Sequence, residues 1–165
     1  MIEKINKADL FFTDESAFDN DEYVRYGRSE KGKRIFGLKK GFKSKRKSLI
    51  GTCDAFHRFI DLMMFDGYTD VDVFSSYLIH LSSVVKREIW LVCDNASFHK
   101  TNYIIALAQS LNINLIFLPP YSPFLNPIEN LWGVLKEVFR RFFAESSYLE
   151  ESIINACNYL SHLFI

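Results

Sequence analysis

The sequence is short of the residues that mark several common kinds of site. Its three cysteines, Cys53, Cys93 and Cys157, are odd in number and far apart. They form no CxxC pair and no Cys/His spacing of the kind that holds zinc, and they argue for a reduced, cytoplasmic setting. The four histidines, His57, His80, His99 and His162, are not clustered for metal ligation. No apolar run approaches the roughly 20 residues of a membrane helix. The N-terminus lacks the apolar core of a secretion signal. There is no internal repeat, low-complexity stretch or break in composition, so the expectation is one domain over 1–165 with no membrane partner. The formal net charge is zero, which at first argues against a polyanionic partner.

What is present is apolar and aromatic. Hydrophobic residues make up 48% of the chain and phenylalanine alone supplies 16 positions, enough for an aromatic-rich core. The neutral total also hides an asymmetry. Arg25, Arg28, Lys31, Lys33, Arg34, Lys39, Lys40, Lys43, Lys45, Arg46 and Lys47 crowd into 23 residues, offset only by Glu30. Most charge runs are simply solvated, but one this lopsided calls for a counter-charge, and phosphate contact is the favoured reading. Such contacts bring salt-sensitive, sequence-blind affinity.

Taken in order, residues 8–13 (ADLFFT) read as a buried strand ending at the acidic pair Asp14–Glu15. The basic segment, with Gly27, Gly32 and Gly37, reads as a strand edge and loop. Residues 48–55 and 59–65 read as a hairpin turning at 54–58 and ending at Gly67. Residues 69–85 have a helical stripe, with Thr69 as the cap and Asp72 at the capping-box position. Two continuous apolar runs, 88–93 (EIWLVC) and 113–118 (INLIFL), flank a helical pattern over 100–111. Strand, helix, strand implies a parallel pair with a right-handed crossover. A proline-rich loop then opens a strongly amphipathic helix after Asn126, whose aromatics, Trp132 included, read as core. A last helix follows over 148–163. This order of elements suits an α/β fold of ribonuclease-H-like architecture, a mixed sheet with helices on its faces.

Three acids stand where such folds place chemistry, and each has an ordinary explanation beside it. Asp94 directly follows an apolar strand, at the end where open α/β sheets bind ligands; its ordinary role is to cap the next turn. Glu129 sits in Asn126–Pro127–Ile128–Glu129, which already makes a good capping box. On the helical wheel Glu129 lies about 100° from Ile128, at the margin of the apolar stripe, and a site role needs it to reach outward instead. Asp14 and Glu15 alternate across a strand, so only one faces any given cleft, and the pattern does not say which. His99, five residues after Asp94, either contacts a phosphate, positions a metal site, or merely opens the next helix. A carboxylate trio has a clear use. Two divalent ions about 3.5–4 Å apart activate the attacking oxygen and stabilise the leaving oxygen of a phosphodiester, and Mg²⁺ takes a few carboxylate oxygens while leaving positions for water and phosphate.

The blocks TDESAF, YGRSEKGKR, LVCDNASFHK and LPPYSPFLNPIENLWGVLK, in that order, resemble the catalytic (DDE) domain of bacterial insertion-sequence transposases of the mariner-like superfamily. The resemblance covers about 10–143, and the last block is the most specific. Between Asp94 and Glu129 lie 34 residues, the spacing of that family's DDE pattern. The resemblance implies Asp14, Asp94 and Glu129 as catalytic and metal-binding residues, with Asn95 and His99 as possible auxiliaries. It implies Mg²⁺ or Mn²⁺, two ions, and cleavage of transposon-end DNA with strand transfer into target DNA. It implies a homodimer on DNA in a bacterial cytoplasm, associated with the nucleoid when bound. It assigns the first acid to Asp14 over Glu15. Relatives carry an N-terminal helix-turn-helix domain; here Met1 lies 13 residues before Asp14, so the expectation is a catalytic domain of about 8–143 plus the last helix, being either the second product of a split reading frame that works with a separate helix-turn-helix subunit, a catalytic-domain fragment, or a decayed copy. Two rival readings remain: a non-catalytic remnant or subunit that binds DNA, and a general ribonuclease-H-like nuclease.

Overall fold

A computed structural model describes residues 5–19, 31, 46–146 and 148–163. Nine main elements follow one another: β1 (Leu10–Asp19), β2 (Arg46–Asp54), β3 (Phe59–Phe65), α1 (Val71–Val85), β4 (Ile89–Cys93), α2 (Asn102–Ser110), β5 (Ile113–Phe117), α3 (Ile128–Ser146) and α4 (Leu149–Leu163). The strands form one mixed sheet in the order β3-β2-β1-β4-β5. β1 pairs antiparallel with β2 and parallel with β4; β4 and β5 are parallel. With helices packed on it, this is the expected ribonuclease-H-like architecture.

Strict alternation along the strands divides the core between two faces. On one face Phe11, Ile50, Ile89 and Leu91 pack with Phe74, Tyr77, Leu78 and Leu81 of α1 and Ile104 and Ala108 of α2. On the other, Phe18, Leu49 and Cys53 meet Leu131, Trp132, Leu135 and Phe139 of α3 and Ile153, Ala156 and Leu160 of α4. Leu49 and Ile50, adjacent on β2, go to opposite faces and are both fully buried. A buried bond from Tyr77 Oη–H to Thr52 Oγ1 (2.7 Å) ties α1 to the sheet.

The elements differ from expectation mainly at their ends. β1 does not stop at Asp14–Glu15 but continues to Asp19, because its polar half pairs with β2 residue by residue as far as Asp19↔Arg46. Asp70, not Thr69, caps α1, accepting from Val73 N–H at 2.9 Å. Thr101 caps α2 through Ile104 N–H. The β2–β3 hairpin does turn at 54–58. There Asp54 Oδ1 accepts from the backbone of Phe56 and Arg58, and Oδ2 from the Arg58 guanidinium at 2.6 and 2.8 Å. Gly67 follows β3 with φ +92°, a conformation that glycine adopts without strain.

Candidate active site

Parallel register sets two of the three acids side by side. Phe12 of β1 pairs with Val92 of β4. Asp14 and Asp94 each lie two residues further on, at the same step of neighbouring strands, which run about 4.8 Å apart. Two residues restore the same face, so Asp14 shares the side of Leu10 and Phe12, and Glu15 the side of Phe11. The chain returns from β5 through residues 118–127, with Leu118 N–H on Cys93 C=O at 2.9 Å, and α3 begins beside β1. Asn126 Nδ2–H donates to Thr13 C=O at 3.1 Å, and Trp132 Nε1–H donates to Asp14 Oδ2 at 3.2 Å. Asp14, Asp94 and Glu129 thus line one open cleft of about 480 Å³, together with Asn95, Asn126 and the proline loop. Tyr121 stands on that loop with φ +57° and its ring 99% exposed.

The ordinary roles weighed for these acids are partly filled as well. Asp94 Oδ1 does accept from Ala96 N–H at 2.9 Å, the expected turn cap. The capping box at α3 does not close: Asn126 N–H donates to Pro123 C=O, and among the described residues the exposed Glu129 carboxylate takes no hydrogen bond. It lines the cleft.

The electrostatics of the two aspartates are opposite. Asp14 is pushed up to about 7, first by burial and then by the negative charges of Glu15, Glu129 and Asp94. Asp94 is held below the usual carboxylate range, chiefly by His99. The ring of His99 is 1% exposed, with Nδ1 2.9 Å from Asp94 Oδ1 and Nε2 3.3 Å from Glu15 Oε1. The Nδ1 contact meets an ion-pair distance without hydrogen-bond geometry. Burial alone would depress the imidazole; the two carboxylates outweigh it and raise it to about 9. His99 therefore stands behind Asp94 as a buried cation, away from the cleft surface.

The donor set suits a hard divalent cation. Three carboxylates surround open space, and one of them is disfavoured in its charged form by its neighbours, a state that a cation relieves. As the side chains stand, no three acidic, histidine or cysteine groups among the described residues are gathered tightly enough to ligate one ion. Of the basic run, Arg25, Arg28, Lys33, Arg34, Lys39, Lys40, Lys43 and Lys45 lie outside the described residues. Lys31 is exposed. Arg46 lies 5.1 Å from the Tyr68 ring. Lys47 is engaged with Asp66 (2.8 Å) and Glu150. Sequence reasoning missed the contacts of Asn126, Trp132 and Glu15. The first two were legible only as a cap and a core residue on the stripe that carries Glu129.

The fold is ribonuclease-H-like, and the sequence places the chain in a family. A profile of the DDE superfamily endonucleases matches residues 9–150, and the chain belongs to that family. It is similar to the Tc3 transposase of Caenorhabditis elegans, 34% identical over 85 residues, which is 50% of this chain and 25% of that protein. The Mos1 mariner paired-end complex with Mn has the same fold, with a TM-score of 0.67 at 16% identity over 99% of this chain and 55% of that one. The Mos1 paired-end complex with Mg gives 0.62 at 18% identity over 76% and 40%. The chain thus spans a quarter of its curated relative and about half of these structures. Among the described residues no helix is long and apolar enough to cross a membrane.

Proposed function

We propose that this chain is the catalytic domain, over 1–165, of a transposase that cleaves transposon-end DNA and joins the freed 3′-hydroxyl to target DNA. The observation that carries this reading is the meeting of Asp14, Asp94 and Glu129, from β1, β4 and α3, on one open cleft with Asp14 raised to about 7. These three carboxylates would hold Mg²⁺ or Mn²⁺, in keeping with the Mn and Mg of the Mos1 complexes. When bound, two such ions supply activation of the attacking oxygen and charge stabilisation at the leaving oxygen. The chain's own part is placement. β1 and β4 fix two carboxylates at one level, α3 brings the third, and His99 keeps Asp94 ionised. Tyr121 offers an open ring to an unstacked base at the rim. The cations of residues 25–46 would follow the DNA backbone. Two ends must be held together, which calls for a homodimer on DNA.

Incubating the chain with Mn²⁺ and transposon-end duplexes tests the reading. Metal-dependent nicking lost in Asp94→Ala is expected; absence of nicking, or nicking unchanged in that variant, counts against it. Cleavage of RNA–DNA hybrids without any need for transposon ends would instead support a general nuclease.

A further inference from the structure

We infer that Trp132 is a positioning residue for the carboxylate cleft, its indole N–H orienting Asp14 while Asn126 ties the same helix start to the preceding β1 residue. This rests on the metal-binding reading above and deepens it. Glu129 and Trp132 are three apart on α3 and so lie on one side of its first turns, and Asn126 stands in extended conformation just before the helix. The outer two each bond β1: Asn126 to Thr13 C=O at 3.1 Å, and Trp132 to Asp14 Oδ2 at 3.2 Å. Glu129 lies between these two anchors, so Asp14 and Glu129 are held as one unit although 114 residues lie between them in the sequence.

The seat for the indole is built on the neighbouring strand. Gly51 of β2 pairs with Asp14 in the register. A Cβ at position 51 would come within 2.8 Å of Trp132 Cη2, 3.2 Å of Cζ2 and 2.7 Å of Leu62 Cδ2. Such distances force a shift, so glycine here lets the six-membered ring lie against the sheet while the N–H reaches Asp14. The choice of donor also matters. A lysine or arginine at this place would neutralise Asp14 and compete with a metal ion. An indole N–H directs one oxygen and leaves the negative charge available, which is what an outer partner of a metal ligand does. Core packing alone, with Phe59 at a ring distance of 5.6 Å, does not require that N–H to face a carboxylate.

The chain has two tryptophans, Trp90 and Trp132, so Trp90→Phe leaves Trp132 as the sole indole. Titrating the full Trp90→Phe chain with Mn²⁺ should quench Trp132 fluorescence saturably. Free Mn²⁺ counted by electron paramagnetic resonance then gives affinities for the wild type, Trp132→Phe, Gly51→Ala and Asp94→Asn. Trp132→Phe keeps a ring and removes the N–H; it should weaken Mn²⁺ binding about 10–100-fold with a cooperative melting transition retained. Gly51→Ala removes no polar group and should weaken binding in the same direction. Its effect should shrink when combined with Trp132→Phe, because phenylalanine lacks the crowded atoms. Wild-type affinity in both Trp132→Phe and Gly51→Ala, alongside lost affinity in Asp94→Asn, overturns the positioning role and leaves the metal reading standing. No Mn²⁺ binding by the wild type overturns both. If Trp132→Phe does not melt cooperatively, Gly51→Ala decides.

Discussion

Asp14 lies on β1 and Asp94 just past the end of the neighbouring β4, yet their surroundings are opposites. Asp94 has a buried imidazolium behind it and a backbone N–H on one oxygen, and these hold it ionised. Asp14 has three acids around it and, on one oxygen, a neutral indole N–H. One aspartate is complete within the protein and the other is not. On the metal-binding reading proposed above, the charge left uncompensated at Asp14 is the place that a cation arriving from outside would fill.

The comparison is broken most severely by activity measurements. Asp14→Asn and Asp94→Asn should each lower Mn²⁺-dependent nicking of transposon-end duplexes by about 10³-fold or more, since metal placement contributes several kcal/mol to such reactions. Stability should separate the same two variants. His99→Ala removes the cation from between Asp94 and Glu15 and should cost on the order of 3 kcal/mol in urea denaturation. In chelator at pH 8, Asp14→Asn should raise the melting temperature, by about 2–4 °C for each kcal/mol of repulsion relieved, whereas Asp94→Asn should lower it.

The pH dependence carries opposite signs too. The folded pKa of Asp14, about 7, lies above its unfolded value near 3.9, so the native state binds the extra proton between them. Its stabilising contribution is whole below about pH 4 and lost as pH rises through 7. Asp94 is shifted down, so its contribution is present above about pH 4 and lost as pH falls below that. In metal-free chain, Asp14→Asn should therefore flatten the loss of stability between pH 4 and 7, and Asp94→Asn the loss at lower pH, both read from melting curves. The smallest effect sets a baseline away from the cleft: Asp70→Ala removes the α1 cap and should cost about 1 kcal/mol without changing Mn²⁺ affinity.

Much of this was legible in the residues. The apolar runs before Asp94 and Pro119 gave β4 and β5 to within a residue, because each is a short, nearly continuous apolar run with little polar alternation to confuse. The second half of β1 was not legible. Thr13-Asp14-Glu15-Ser16 has poor strand propensity, and only pairing with β2 extends it. Alternation said that Asp14 and Glu15 part company, but which face holds the cleft depended on where α3 docks. That docking depends on Gly51, nearly 80 residues before α3 begins, so the second role of Trp132 could not be read from its helical stripe. The role of His99 was hidden for a similar reason: the acid at its Nε2 comes from β1, 84 residues earlier.

The central strand of the sheet also sets an order in time. β1 is made before the helix bearing Glu129, which follows more than a hundred residues later, roughly 6–23 s at about 5–20 residues/s. Until then the nascent chain carries Asp14 without the indole that orients it or the third acid. The three acids therefore come together only once α3 has been made, and a product truncated before α3 would carry Asp14 and Asp94 without Glu129.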